Sequence, residues 1–298
     1  MRLGIDLGGT KIEGAVLDGQ LRIVARKRVP TERERGYEHI LDRVAGLVRE
    51  LLPRVPGCVE IGIGTPGALS GRNATLKNSN TTCLNGRPVL ADLEARLGLR
   101  VRLENDANCF ALAEARAGSG RGHDVVFGVI LGTGVGGGIV LRGEVWPGPQ
   151  HIAGEWGHHV IDPAGPACYC GQRGCVETLL SGPALEAAYR AQGGDADARA
   201  TDVAPRAVAG DAVAARVLGD YLRHFGRALA NVIAILDPSV VVLGGGLSNI
   251  DVLYDRGRAE VARQIFNDEL TTPIVKHQLG DSAGVVGAAL LAPDADAA

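Results

Sequence analysis

A segment near the N-terminus, Gly4–Gly19 (GIDLGGTKIEGAVLDG), aligns without gaps on a second, Gly128–Gly143 (GVILGTGVGGGIVLRG). Each copy reads as strand, Gly-rich turn, strand and a closing Gly turn. Two unrelated glycine-punctuated hairpins would give a similar pattern. A duplicated unit implies more: two similar lobes, each offering a backbone-lined turn to a shared cleft, where ligands bind preferentially. The run Gly118–Gly122 (GSGRG) suits a boundary between them. The expected lobes are residues 1–118 plus 284–298, and 119–283.

The rest of the chain alternates in kind. Strand-like runs are expected at Leu3–Leu7, Ile12–Leu17, Leu21–Val29, Val59–Gly64, Val101–Leu103 and Val240–Leu243. Ile40, Val44, Leu47, Val48 and Leu51 recur at helical spacing, and further helices are expected from Ala107 to about Ala117 and around Glu177–Gln192. A helical pattern over Val203–Leu236 breaks near Gly210, and Ala283–Ala292 precedes a tail, Pro293–Ala298, that should fray. This alternation predicts an α/β architecture with a mainly parallel central sheet.

Composition excludes several classes. The 298 residues are 46% hydrophobic with a net charge of −3, and the basic residues are scattered, so neither nucleic acid nor an anionic membrane is an expected partner. No apolar run approaches a membrane span of about 20 residues. A strand begins at once, leaving no room for a signal peptide, so a cytoplasmic location is expected. Cys58, Cys83 and Cys109 are isolated and read as small buried hydrophobes.

The two glycine turns have a chemical use. Without side chains, backbone N–H groups can approach and cradle phosphate oxygens. Asp6 precedes the first turn and Lys11 follows it; a carboxylate beside a triphosphate suits Mg²⁺, held directly or through water. Asp106, after Asn105, stands where a strand meets a helix. Either residue type is a good N-cap. An ionised carboxylate there can also accept a hydroxyl proton during phosphoryl transfer. Cys168, Cys170 and Cys175 share a Gly-rich knuckle behind His151, His158 and His159. One histidine with three cysteines makes a closed structural Zn²⁺ set, and spacing leaves all three histidines eligible. Such an ion would pin the loop carrying Glu155 and Glu177, whose carboxylates either face solvent or accept hydrogen bonds from sugar hydroxyls.

Together these residues resemble the ROK family of sugar kinases and repressors over essentially the whole chain. Asp6-Leu-Gly8-Gly9-Thr10-Lys11 looks like its first phosphate motif, and Gly132-Thr133-Gly134-Val-Gly136-Gly-Gly138 like its second. Glu104-Asn105-Asp106-Ala-Asn108 is similar to the segment carrying the catalytic Asp. The run Gly154–His158 with Cys168, Cys170, Cys175 and Glu177 resembles the zinc and sugar signature. The resemblance implies an actin-like ATPase (ribonuclease H-like) fold, ATP as phosphoryl donor with Mg²⁺, a structural Zn²⁺ held by His158, Cys168, Cys170 and Cys175, and a homodimer. It makes Asp106 the general base. It implies sugar contacts from Gly67, Asn80, Asn105, Asp106, Glu155, His158 and Glu177, and an adenosine-side turn at Gly244-Gly245-Gly246. The segment Lys77–Pro88 most resembles fructokinases, with Cys83 where relatives carry Trp, so D-fructose is the expected substrate and N-acetylglucosamine or glucose the alternatives. A sugar-sensing repressor would need a helix-turn-helix domain ahead of Asp6; a degenerate sugar-binding protein would have lost Asp6, Lys11 or Asp106.

Overall fold

The computed structural model describes residues 1–295, so the last part of the expected tail, 296–298, lies outside the described residues. The chain forms two compact units: Met1–Gly118, Gly143–Ala153 and the stretch from Leu279 onward in one, Ser119–Arg142 and Gly154–Gln278 in the other. Segments 143–153 and 279–283, which the sequence assigned to the second lobe, therefore run with the first unit.

The first unit is built on β1 (Arg2–Leu7), β2 (Lys11–Leu17), β3 (Ile23–Pro30), β4 (Glu60–Thr65) and β7 (Arg100–Asn105) in the order β3-β2-β1-β4-β7. The expected mainly parallel sheet is half antiparallel. β1 pairs antiparallel with β2, and β2 with β3, because tight turns reverse the chain between them. β4 and β7 arrive after helical crossovers and run parallel to β1 and to each other. The crossovers are α1 (Tyr37–Leu51) and the short α2 (Val89–Leu97), and a minor hairpin, β5 (Ala68–Leu69) with β6 (Leu76–Lys77), lies between β4 and α2. α1 buries Ile40, Leu41, Val44, Leu47, Val48 and Leu51, one stripe of an amphipathic helix, in the core formed by Leu3, Ile5, Ile12, Ile61 and Ile63. α3 (Asp106–Ala117) is buried nearly all round between Ala107 and Ala115. Of the three isolated cysteines only Cys109, on this helix, is fully buried; Cys58 and Cys83 are half-buried. The two-residue strand β10 (Glu144–Val145) follows, and its Glu144 pairs with Arg116 of α3 at 3.0 Å.

The second unit orders β9 (Val135–Leu141), β8 (Val125–Leu131), β11 (Val240–Gly244) and β12 (Ile274–Lys276) as β9-β8-β11-β12. The β8–β9 hairpin repeats the β1–β2 hairpin, and β11 and β12 lie parallel to β8 and β11 in turn. Its helices are α4 (Glu177–Leu180), α5 (Gly182–Ala191), α6 (Ala200–Val208), α7 (Ala212–Leu236) and α8 (Arg256–Ala262). The expected helix at 177–192 is split at Ser181, whose extended backbone and side chain cap α5. The break at Gly210 separates α6 from α7; Asp211 then caps α7 by accepting from Val213 N at 2.8 Å and Ala214 N at 3.0 Å. Val217, Leu218, Tyr221, Leu222, Phe225 and Leu229 of α7 close the core over Phe127, Val129, Val241 and Leu243.

The chain ends in the first unit with α9 (Ala283–Leu291), rich in small residues. A Cβ on Gly62 of β4 would fall 1.7 Å from Ala288 O, and one on Gly287 only 1.8 Å from Cys109 O. Backbone therefore packs on backbone here, which only glycine allows. Among the described residues no helix is long and apolar enough to cross a membrane.

Candidate active site

In the first unit the turn after β1 is closed by Gly8 N–H donating to Lys11 O at 3.0 Å, and Thr31 Oγ donates to Gly8 O at 2.7 Å. Gly8, Gly9 and Thr10 thus form a short bend between paired strands, with Lys11 exposed as the first residue of β2. Asp6 is partly buried at the end of β1, opposite Glu13 of β2 and Gly64 of β4. Glu13 is 1% exposed and held by Arg26 and Arg28, each at 2.5 Å. Burial first, then the negative charges of Asp106 and Glu13, push the Asp6 carboxyl up from 3.8 to about 7. A bound cation reverses that cost by restoring the ionised form.

Asn105, not Asp106, is the N-cap of α3. Its Oδ1 accepts from Ala107 N at 2.9 Å and its Nδ2 donates to Gly67 O at 3.1 Å. Gly67 adopts φ 87°, and a Cβ there would meet Lys77 O at 2.4 Å, so the cap ties α3 to a bend only glycine fills. Asp106 is the first helical residue and exposed, with Oδ1 accepting from Ala107 N at 2.8 Å. Asn80 is exposed beside the first turn: the Cβ position of Gly9 lies 3.9 Å from Asn80 Oδ1 and 3.4 Å from Thr81 Oγ1. Asn85 holds this loop, accepting from Ser79 N at 2.8 Å and donating to Ser79 O at 2.9 Å.

In the second unit Gly132 N–H donates to Gly134 O at 3.0 Å, closing the corresponding turn with Thr133 exposed at its tip. Gly136 O accepts from Trp156 Nε1 at 2.9 Å, and Trp156 stacks edge-on against Phe127 at 5.6 Å. This pins Glu155–His158 along β9. At the end of β11, Gly245 takes φ 80°, and a Cβ there would strike Leu131 O at 2.3 Å. Gly246 opens onto a cavity of about 510 Å³ lined also by Ala204, Pro205, Asn249, Ile250 and Val252. Gly244 belongs to β11 itself.

His158, Cys168, Cys170 and Cys175 bring one ligand atom each within 4.8 Å of the others. Cys168 Sγ lies 3.6 Å from His158 Nδ1, and Cys170 Sγ lies 3.6 Å from Cys175 Sγ. Tetrahedral zinc, with bonds near 2.3 Å to sulfur and near 2.0 Å to nitrogen, has edges of about 3.5–3.8 Å, so the set fits. Of the other candidate histidines, His159 instead meets Asn231 Nδ2 at 3.0 Å, and His151 belongs to the first unit. His158 Nε2 lies 2.9 Å from Tyr169 OH; with Nδ1 on a cation, Nε2 keeps its proton and donates to the phenol. Tyr169 carried no sequence signal beyond its place in the knuckle. Glu177 does not face solvent with both oxygens: its Oε2 accepts from Val135 N at 2.9 Å.

Two units that repeat a strand-turn-strand hairpin, each with parallel strands behind it, define an α/β protein of the actin-like ATPase class. A model of the ROK family matches residues 2–295, and the chain belongs to that family. Among curated relatives, N-acetyl-D-glucosamine kinases of Vibrio vulnificus and Pasteurella multocida are each 38% identical, over 98% of this chain and 99% of theirs. Among solved structures, the ROK hexokinase of Thermus thermophilus is 36% identical with a TM-score of 0.86, covering 98% of this chain and 97% of its own. A ROK family glucokinase from Streptomyces griseus, in complex with glucose and AMPPNP, is 33% identical with a TM-score of 0.79, covering 98% of both chains.

Proposed function

We propose that the protein is an ATP-dependent hexose kinase. The observation that carries this reading is that Asp6, at the end of β1 beside the Gly8–Lys11 bend, and Asp106, at the start of α3 directly after β7, stand at the same end of the parallel strands β1, β4 and β7. Phosphoryl transfer is mostly positioning and charge stabilisation, and each residue has a part in that. Gly9 and Thr10 in the first bend, and Thr133 and Gly134 in the second, present N–H groups to phosphate oxygens; Gly8 and Gly132 close those bends with their own N–H groups, and Lys11 adds positive charge. Asp6 would hold Mg²⁺, which neutralises the phosphates when bound. Gly246 lines the cavity that suits the adenosine end, and Gly245 turns the chain just before it.

Asp106 accepts the proton of the attacking sugar hydroxyl as its oxygen bonds to the γ-phosphorus and the bond to ADP breaks. Asn105 and Gly67 fix the helix that presents this carboxylate. Asn80, Glu155, His158 and Glu177 are the further sugar contacts in this reading. Zn²⁺ at His158, Cys168, Cys170 and Cys175 would hold the knuckle; a saturated tetrahedral ion has no open position for chemistry. A homodimer is the assembly this reading expects, measurable by light scattering.

For the sugar, we favour N-acetyl-D-glucosamine, on the strength of the curated kinases 38% identical over nearly the whole chain. Fructose is the second reading, supported by the segment Lys77–Pro88. ADP release over N-acetylglucosamine, glucose, mannose and fructose tests both. We expect the highest kcat/KM with N-acetylglucosamine, at least about 10-fold above fructose. Fructose as the best substrate reverses the choice of sugar, and no ADP release with any hexose refutes the kinase.

A further inference from the structure

Glu177 opens α4 two residues after Cys175, and its Oε2 takes the backbone N–H of Val135. Val135 is the first residue of β9, immediately after the Gly132-Thr133-Gly134 bend, and is 6% exposed, so water is a poor substitute partner for that N–H. A Cβ on Gly134 would lie 2.6 Å from the same carboxylate oxygen. The carboxylate therefore sits against the bend in space that glycine leaves open. The bend is gripped from a second side, where Gly182 N–H, at the start of α5, donates to Gly132 O at 2.8 Å. Both grips come from one stretch of chain, α4 and the start of α5, rooted in the cysteine knuckle through Cys175 and Val176.

A carboxylate next to a bend that receives anions is electrostatically unfavourable for the anion. Its benefit is geometric: it fixes the first N–H beyond the turn. We propose that Glu177 is a positioning residue for the second glycine bend, holding Gly132–Gly134 in the form that receives nucleotide phosphate, in addition to any hydrogen bond it makes to sugar. The inference rests on reading that bend as a phosphate site.

Three variants of the full-length, zinc-loaded protein separate this role from a sugar contact. Glu177→Ala leaves Val135 N–H without an acceptor, Glu177→Asp keeps the charge but shortens the reach, and Glu177→Gln keeps an acceptor oxygen without the charge. Equilibrium binding of a fluorescent Mg-ATP analogue, measured without sugar, is the readout, with sugar binding and KM for ATP against kcat measured alongside. Leaving one buried donor unpaired weakens nucleotide binding by about 5- to 100-fold in Glu177→Ala. We expect a comparable loss in Glu177→Asp and near-wild-type affinity in Glu177→Gln. If Glu177→Ala does not fold, Glu177→Asp against Glu177→Gln carries the test. Unchanged nucleotide affinity in Glu177→Ala and Glu177→Asp, with only sugar binding lost, overturns the brace and leaves the kinase reading standing. Wild-type protein that binds no nucleotide overturns both.

Discussion

Asp6→Asn isolates the strain at the end of β1. In the folded protein burial and the charges of Asp106 and Glu13 raise the Asp6 carboxyl from 3.8 to about 7. Because the folded state holds this proton more tightly than the unfolded chain, stability relative to a neutral residue is intact below pH 4. It falls as the pH rises toward 7, by about 1.4 kcal/mol per pH unit, and is constant above that. The full displacement corresponds to about 4 kcal/mol at pH 8. Asp6 is only partly buried, so solvent screening lowers the expected figure to about 2–4 kcal/mol. Asp6→Asn removes the penalty. Urea unfolding of variant and wild type, without added Mg²⁺ at pH 4 to 8, reads the difference directly, since effects common to both proteins cancel. We expect near-equality at pH 4 and a variant more stable by about 2–4 kcal/mol at pH 8, despite losing activity. A difference that does not change with pH, or a less stable variant at pH 8, refutes the electrostatic reasoning.

Two further outcomes test the architecture and the metal. Elemental analysis of protein purified without chelator should find about one zinc per chain, and Cys175→Ser should lose it with several kcal/mol of stability; a metal-free wild type of unchanged stability contradicts the cluster. Gly62→Ala drives a methyl to 1.7 Å from Ala288 O, so β4 and α9 must separate, costing about 3 kcal/mol or more in urea unfolding. A variant as stable as wild type would show that α9 does not pack as described.

The legible parts of the fold are those fixed by short-range chemistry. The hairpins β1–β2 and β8–β9 follow from glycine bends between apolar runs, and α1 from its helical stripe. The cysteine knuckle is recognisable because its sulfurs crowd within a few residues; spacing alone leaves three histidines eligible, and the folded loop brings His158, the one the family resemblance implies, to them. Strand direction was misread because nothing within Leu21–Val29 or Val59–Gly64 says whether the chain turns tightly or crosses over first. α2 lacks a side-chain N-cap and is short, so it left little pattern. The contact of α9 with β4 is made by what glycine lacks, and no periodicity reports it. Asp6, Asp106 and the two bends could be named as candidates from type and spacing alone. The engagement of Glu177 with Val135 and of His158 with Tyr169 could not, because each joins residues that only the folded loop brings together.

The transfer step itself is best examined through Asp106, using whichever hexose turns over fastest. Calorimetric titration of that sugar into Asp106→Asn, together with the rate of ADP release at saturating sugar and Mg-ATP, separates binding from proton removal. The account expects sugar affinity within about 10-fold of wild type and turnover reduced by at least about 10²-fold. Turnover close to wild type would mean that some other group takes the hydroxyl proton.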